Sequence, residues 1–164
     1  MKVIDNRRSV RSYLNKPVEE EKIEKILRAA MQAPSAANQR PWEFVVVRNQ
    51  ALLQKLSEMS PYSKMVASAP VAIVLLGKEN DLMFEDFWTQ DMGACTQNLL
   101  LEIVDQGMGG VWLGVAPQED RMTYVKEALN LKEGKPFAVV PFGYTDKEQT
   151  YIDRYEEERV MYLD

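Results

Sequence analysis

Histidine is absent from this chain of 164 residues. Its absence excludes Ser-His-Asp and Cys-His nucleophilic catalysis, His-ligated zinc and histidine proton shuttling. Cysteine occurs once, as Cys95. An intrachain disulfide and a thiolate cluster are therefore excluded, and no metal site is expected. A reducing compartment, the cytosol, suits a chain with so little cysteine. No stretch reaches the ~20 apolar residues of a membrane-spanning helix. The basic N-terminus has no apolar run behind it, so a signal peptide is not expected either. An excess of positive charge is also missing: 20 Lys and Arg stand against 25 Asp and Glu, a net charge of −5. Nucleic-acid binders usually carry a basic footprint, so a nucleic-acid partner is not expected. If the chain is an enzyme, a bound group rather than its side chains is expected to carry the demanding chemistry.

What is present is ordinary globular material, 46% hydrophobic and 27% charged, and residues 1–164 are expected to form one domain. Over 19–33, Ile23, Ile26, Leu27, Ala30 and Met31 form one apolar stripe at helical spacing, with Pro34 as the stop. Residues 42–47 (WEFVVV) have strand composition, and a helix is expected at about 49–59. The run VAIVLL at 71–76 is continuous rather than alternating, which marks a central strand covered on both faces. A loop is expected at 77–87, then a long helix over 88–106, which Gly107 is suited to cap. A strand at 111–115, a helix at 118–130 and a strand at 136–142 follow. The internal proline of the last favours an edge or a bulge. Strands alternating with helices indicate an α/β or α+β sandwich. The tail beyond Gly143 carries Tyr151, Ile152, Tyr155, Val160, Met161, Tyr162 and Leu163 among many charges. A solvated tail has no need of these, so packing on a neighbouring subunit is expected.

Charge is unevenly spread. Residues 1–16 hold Lys2, Arg7, Arg8, Arg11 and Lys16 against Asp5, a balance of +4, whereas the last twenty carry −4. Two explanations stay open: one end docks on the other, or the basic end binds a small anion. Arg7-Arg8-Ser9-Val10-Arg11 suits a phosphate, because guanidinium forks match phosphate oxygens and a hydroxyl adds a donor. The segment Gly107-Met108-Gly109-Gly110-Val111-Trp112-Leu113-Gly114 fails the dinucleotide fingerprint. Trp112 stands where a glycine is needed, and the segment follows a helix and opens a strand. It is either a helix cap with a glycine bend or a close approach of backbone to a flat ligand. Trp42 is expected in the core, and Cys95 as a small buried hydrophobe. Phe87 and Trp88 are candidates for a substrate face.

Taken together, RRSVRSY at 7–13, PSAANQRPWEF at 34–44, Gln97-Asn98-Leu99 running into GMGGVWLG, and an arginine in a charged tail after PFGY resemble the nitroreductase family of FMN-dependent oxidoreductases. The resemblance covers nearly the whole chain, in order, as a short member. It implies an α+β fold with a central, mainly antiparallel sheet flanked by helices, and an intertwined homodimer with FMN at the interface. It implies NADH or NADPH as hydride donor and a small electron-poor acceptor such as a nitroaromatic or quinone, in a ping-pong cycle. By position, Arg7, Arg8, Ser9 and Arg11 match the segment that holds the FMN phosphate and ribityl chain. Pro34, Ser35, Ala36 and Asn38 match a loop reaching the flavin from the other subunit. Lys64 matches a lysine near the pyrimidine edge, Leu113 and Gly114 the backbone beside the redox edge, and Arg154 a C-terminal arginine on the phosphate. No side chain is assigned a catalytic role beyond tuning by Lys64. Two positions depart from the family pattern: Arg40 stands where glutamine is common, and Ile152 where many members carry a basic residue. A flavin-binding carrier or sensor without turnover, and a dehalogenase-type member of the family, are the alternatives.

Overall fold

The computed structural model of the chain describes residues 2–163. Its ten main elements are α1 (Lys2–Asn6), α2 (Glu20–Ala30), β1 (Trp42–Val47), α3 (Gln50–Leu56), β2 (Val71–Gly77), α4 (Trp88–Asp105), β3 (Gly109–Gly110), β4 (Leu113–Gly114), α5 (Glu119–Leu129) and β5 (Lys135–Gly143). The strands form one antiparallel sheet in the order β1-β2-β5-β3, with β4 also paired to β5. The architecture is α+β, as expected, with the sheet between two helical layers. Among the described residues no helix is long and apolar enough to cross a membrane.

β2 explains the layering. All seven of its residues are buried, and its alternate side chains enter different clusters. Val71, Ile73 and Leu75 pack with Ile26 of α2 and Met92, Cys95, Leu99 and Ile103 of α4. Ala72, Val74 and Leu76 pack with Leu53 and Leu56 of α3 and Val125 of α5. A strand covered on both faces has no solvent side, which is why its sequence is a continuous apolar run. Trp42 and Cys95 lie in the first cluster, as the sequence suggests.

Several boundaries differ from expectation. α2 stops at Ala30 rather than reaching Pro34, because Gln32 and Ala33 donate to Ala29 and Ala30 three residues back and tighten the chain out of the helix. α3 likewise ends at Leu56, and Asn49 caps its start by accepting from Leu52 N–H at 3.1 Å. The short α1 was not foreseen. The expected strand at 111–115 is two two-residue strands, β3 and β4, with Val111 and Trp112 between them. Their partner β5 contains Pro136 and Pro141, which lack the N–H a continuous ladder requires. β5 is nevertheless central, and the register against β2 shifts at Leu75/Leu76 beside Pro136. The internal proline of the expected strand, Pro141, is at neither an edge nor the bulge: it pairs in register with Ala72. Gly107, at φ 76°, closes α4 with Met108 N–H on the Ile103 carbonyl and Gly107 N–H on the Val104 carbonyl, a Schellman arrangement.

Candidate functional site

The N-terminal basic segment is fixed by backbone rather than by its charges. Ser9 forms a parallel bridge with Gly110, and Val10 N–H donates to the Gly110 carbonyl at 2.9 Å. The Tyr13 hydroxyl donates to the Val10 and Pro141 carbonyls, at 2.8 and 3.1 Å. Gly109 makes this docking possible. A Cβ there would lie 2.6 Å from Val10 Cγ2 and 2.7 Å from Val10 Cβ, closer than real carbon contacts. Gly109 thus admits the protein's own N-terminal segment, so the close approach there is to Val10 and not to the flat ligand that the sequence alternative named.

This docking gathers cations. Gln149 accepts from Arg8 N–H at 3.3 Å and donates to the Met108 carbonyl at 3.2 Å, which leads the tail across the N-terminal segment and brings Arg154 near Arg7. Burial holds the Arg7 guanidinium below its ordinary pKa, and the charges of Arg8 and then Arg154 push in the same direction. The two chain ends do meet, but here cation faces cation, so end-to-end charge pairing does not explain the cluster. Among the described residues no carboxylate pairs with Arg7, Arg8, Arg11 or Arg154. Arg8 Nη1 donates to the Arg7 carbonyl at 2.7 Å, while Arg8 Nε and Nη2 are buried without a hydrogen-bond partner. A charged donor left so is costly. Two adjacent guanidinium N–H groups match a bidentate phosphate. The cluster fits an anion with several oxygens, such as a phosphate monoester.

Beyond Ser9 the segment reaches a cleft of about 330 Å³. It is lined by Arg11, Met59, Ser60, Tyr62, Met65, Trp112, Leu113, Gly114 and Arg121. Trp112 tilts over Phe137, ring centroids 5.6 Å apart. The Gly114 Cα faces open space, so backbone is accessible at β4. An apolar wall with a few polar groups and exposed backbone suits a flat aromatic molecule. Arg8 and Arg11 are at most ~10 Å apart along the chain, so one elongated ligand can span phosphate cluster and cleft.

The loop at 34–40 is built differently. Ala37, Asn38 and Arg40 hold φ of 45°, 56° and 44°, each costing roughly 1–3 kcal/mol in a non-glycine residue and less for asparagine. Asp91, buried on α4, holds the strained turn by accepting from Ala36 N–H at 2.9 Å and from Gln39 Nε2 at 2.7 Å. Gln39 also exchanges two 3.0 Å bonds with the Phe84 backbone, and Ser35 Oγ accepts from Arg40 N–H at 3.0 Å.

The sequence candidates therefore fall into groups. Arg7, Arg8, Ser9 and Arg154 gather at the cluster, and Arg11, Leu113 and Gly114 at the cleft. Pro34, Ser35, Ala36 and Asn38 are not among the residues lining the cleft within one chain; their loop is bonded to α4 and Phe84. Lys64 is exposed and does not line the cleft, although Tyr62 and Met65 do. Trp88 packs edge-on against Phe137 at 5.8 Å, and Phe87 is exposed beside it. The cleft residues Met59, Ser60, Tyr62, Met65, Trp112 and Arg121, and the loop anchor Asp91, were missed. Met59, Ser60, Tyr62 and Met65 share one short stretch and Trp112 adjoins Leu113, but nothing in the sequence places that stretch, Trp112 and Arg121 around one cleft.

Comparison with known proteins agrees with this geometry. The model of the nitroreductase family matches residues 4–61 and 56–144. A protein of Methanothermobacter thermautotrophicus, provisionally named NADH dehydrogenase/NAD(P)H nitroreductase, is 41% identical over 98% of this chain and 84% of its own length. The crystal structure of a provisionally named NADH oxidase from Clostridium acetobutylicum superposes with a TM-score of 0.94 at 48% identity, covering 97% of both chains. That of a provisionally named nitroreductase from Desulfovibrio desulfuricans, in complex with FMN, gives a TM-score of 0.86 at 27% identity, covering 99% of this chain and 95% of the other.

Proposed function

The chain belongs to the nitroreductase family, and we propose that it is an FMN-dependent oxidoreductase that takes hydride from NADH or NADPH and passes electrons to nitroaromatics, quinones or similar electron-poor small molecules, with ping-pong kinetics. The observation that carries this reading is the pair of buried, unpartnered Arg8 N–H groups in a cluster of guanidiniums next to an aromatic-sized cleft. FMN has both parts, a phosphate monoester and a flat ring system, and the residues present fit it. When bound it supplies the hydride and electron transfer that ordinary side chains cannot.

The chain's own residues bind and orient. Arg7, Arg8 and Arg154 hold the phosphate, with the Ser9 hydroxyl as a neutral donor and Arg11 toward the sugar-alcohol chain. The accessible backbone at Leu113 and Gly114 offers hydrogen bonds to a ring edge. Met59, Met65 and Trp112 exclude water from one face. One open cleft serves donor and acceptor in turn, which suits a ping-pong order and broad acceptor use.

A second copy completes the site in this reading. The 34–38 loop, rigidly held yet away from its own chain's cleft, is available to a partner's cofactor. The tail leaves Met161 and Leu163 82% and 88% exposed, and apolar surface of that kind usually marks an interface. A homodimer working in the cytosol, where a lone thiol stays reduced, follows from this. Oxidation of NADH or NADPH by the FMN-loaded protein, followed with a nitroaromatic and a quinone, is the test. Turnover with parallel double-reciprocal lines supports the reading, and no oxidation of either nicotinamide with any acceptor rejects it.

A further inference from the structure

Two cations compete for the part of tuning a ring bound in the cleft. Lys64, the residue that position in sequence favours, begins a short 3₁₀ turn (Lys64–Ser68) and is exposed outside the cleft lining. Arg121, in the first turn of α5, lines the cleft beside Leu113 and Gly114. Its Nη1 donates to the Gly114 carbonyl at 3.0 Å, which fixes the guanidinium against β4 where that strand lines the cleft. Arg121 is only partly exposed, and among the described residues no carboxylate pairs with it. Glu119 and Asp120 share its helix but are not part of the lining. Among the described residues no acid lines the cleft.

From this placement we propose that Arg121, rather than Lys64, is the positioning and tuning residue that favours the more negative, reduced form of the cofactor. The inference rests on the FMN reading above. A charge fixed in advance by a hydrogen bond acts without reorganising, and the half-buried guanidinium is screened less than the exposed Lys64. The Gly114 contact gives Arg121 a second effect: it holds β4 in register with the cleft floor.

The experiment measures the two-electron midpoint potential of bound FMN by equilibration with a reference dye, in the parent, Arg121→Gln, Arg121→Lys and Lys64→Gln. Glutamine removes the charge but is two atoms shorter than arginine, so Arg121→Lys, which keeps the charge, separates loss of charge from loss of the Gly114 contact. The expected result for Arg121→Gln is a tenfold fall in the affinity ratio of reduced to oxidised FMN, which lowers the potential by about 30 mV. Arg121→Lys should retain more than half of the parent's advantage, and Lys64→Gln should shift the potential less than Arg121→Gln does. A potential unchanged in Arg121→Gln with FMN bound, or a larger shift in Lys64→Gln, overturns the proposal and leaves the FMN reading standing. A parent that takes up no FMN removes that reading, and this proposal with it.

Discussion

Arg8 and Asp91 are opposite cases of a charge inside a fold. Asp91 has its acceptors filled by the Ala36 N–H and the Gln39 amide, whereas Arg8 keeps two buried donors open. The first is structural, and the second is the donor pair proposed above for a phosphate. Asp91→Ala strands the Gln39 amide and the Ala36 N–H and releases the strained turn. A loss of about 1–3 kcal/mol in denaturant unfolding is expected, with an unchanged midpoint as the contrary result. Cys95 is a third case, since burial pushes its thiol up to about 12. It should stay unalkylated by iodoacetamide at pH 8 until denaturant is added. An acid whose folded pKa is raised loses stability as pH rises past its unfolded value, so this contribution declines from about pH 8.5 upward. Labelling of the native protein at the free-thiol rate would contradict the burial. Arginine and phosphate chemistry made the 7–11 segment legible in sequence. Asp91 and Arg121 were not, because a carboxylate or a guanidinium on a helix says nothing of its partner until distant segments are brought together.

Among the elements, those with strong periodicity were legible. The continuous run of β2 and the stripe of α2 give their type directly, because both faces or one face of each are buried. The break between β3 and β4 was not legible, since it depends on which strand lies alongside, and β5 brings two prolines. The role of Gly109 was equally hidden, as its neighbour Val10 is remote in sequence. Gly109→Ala places a methyl group against a β-branched side chain that cannot swing away. Overpacking of this kind costs about 1–3 kcal/mol. Because the displaced segment carries Arg8 and Arg11, FMN retention should fall along with the melting temperature. A variant that melts and retains cofactor like the parent would show that the docking is looser than drawn.

At the scale of the whole molecule, the proposed second copy would account for both the exposed tail and the placement of the 34–38 loop outside its own chain's cleft. Sedimentation at micromolar concentration should give a dimer, and Met161→Ser with Leu163→Ser should shift it toward monomer. A strictly monomeric parent would leave the loop without a cofactor to serve. The central claim is that the guanidinium cluster holds a phosphate. Equilibrium dialysis of FMN and of riboflavin, which lacks the phosphate, against the parent and Arg8→Ala tests it most directly. The account expects the parent to prefer FMN by at least tenfold, about 1.4 kcal/mol, and Arg8→Ala to lose most of that preference while riboflavin binding barely changes. Equal preference for FMN in parent and variant would contradict it.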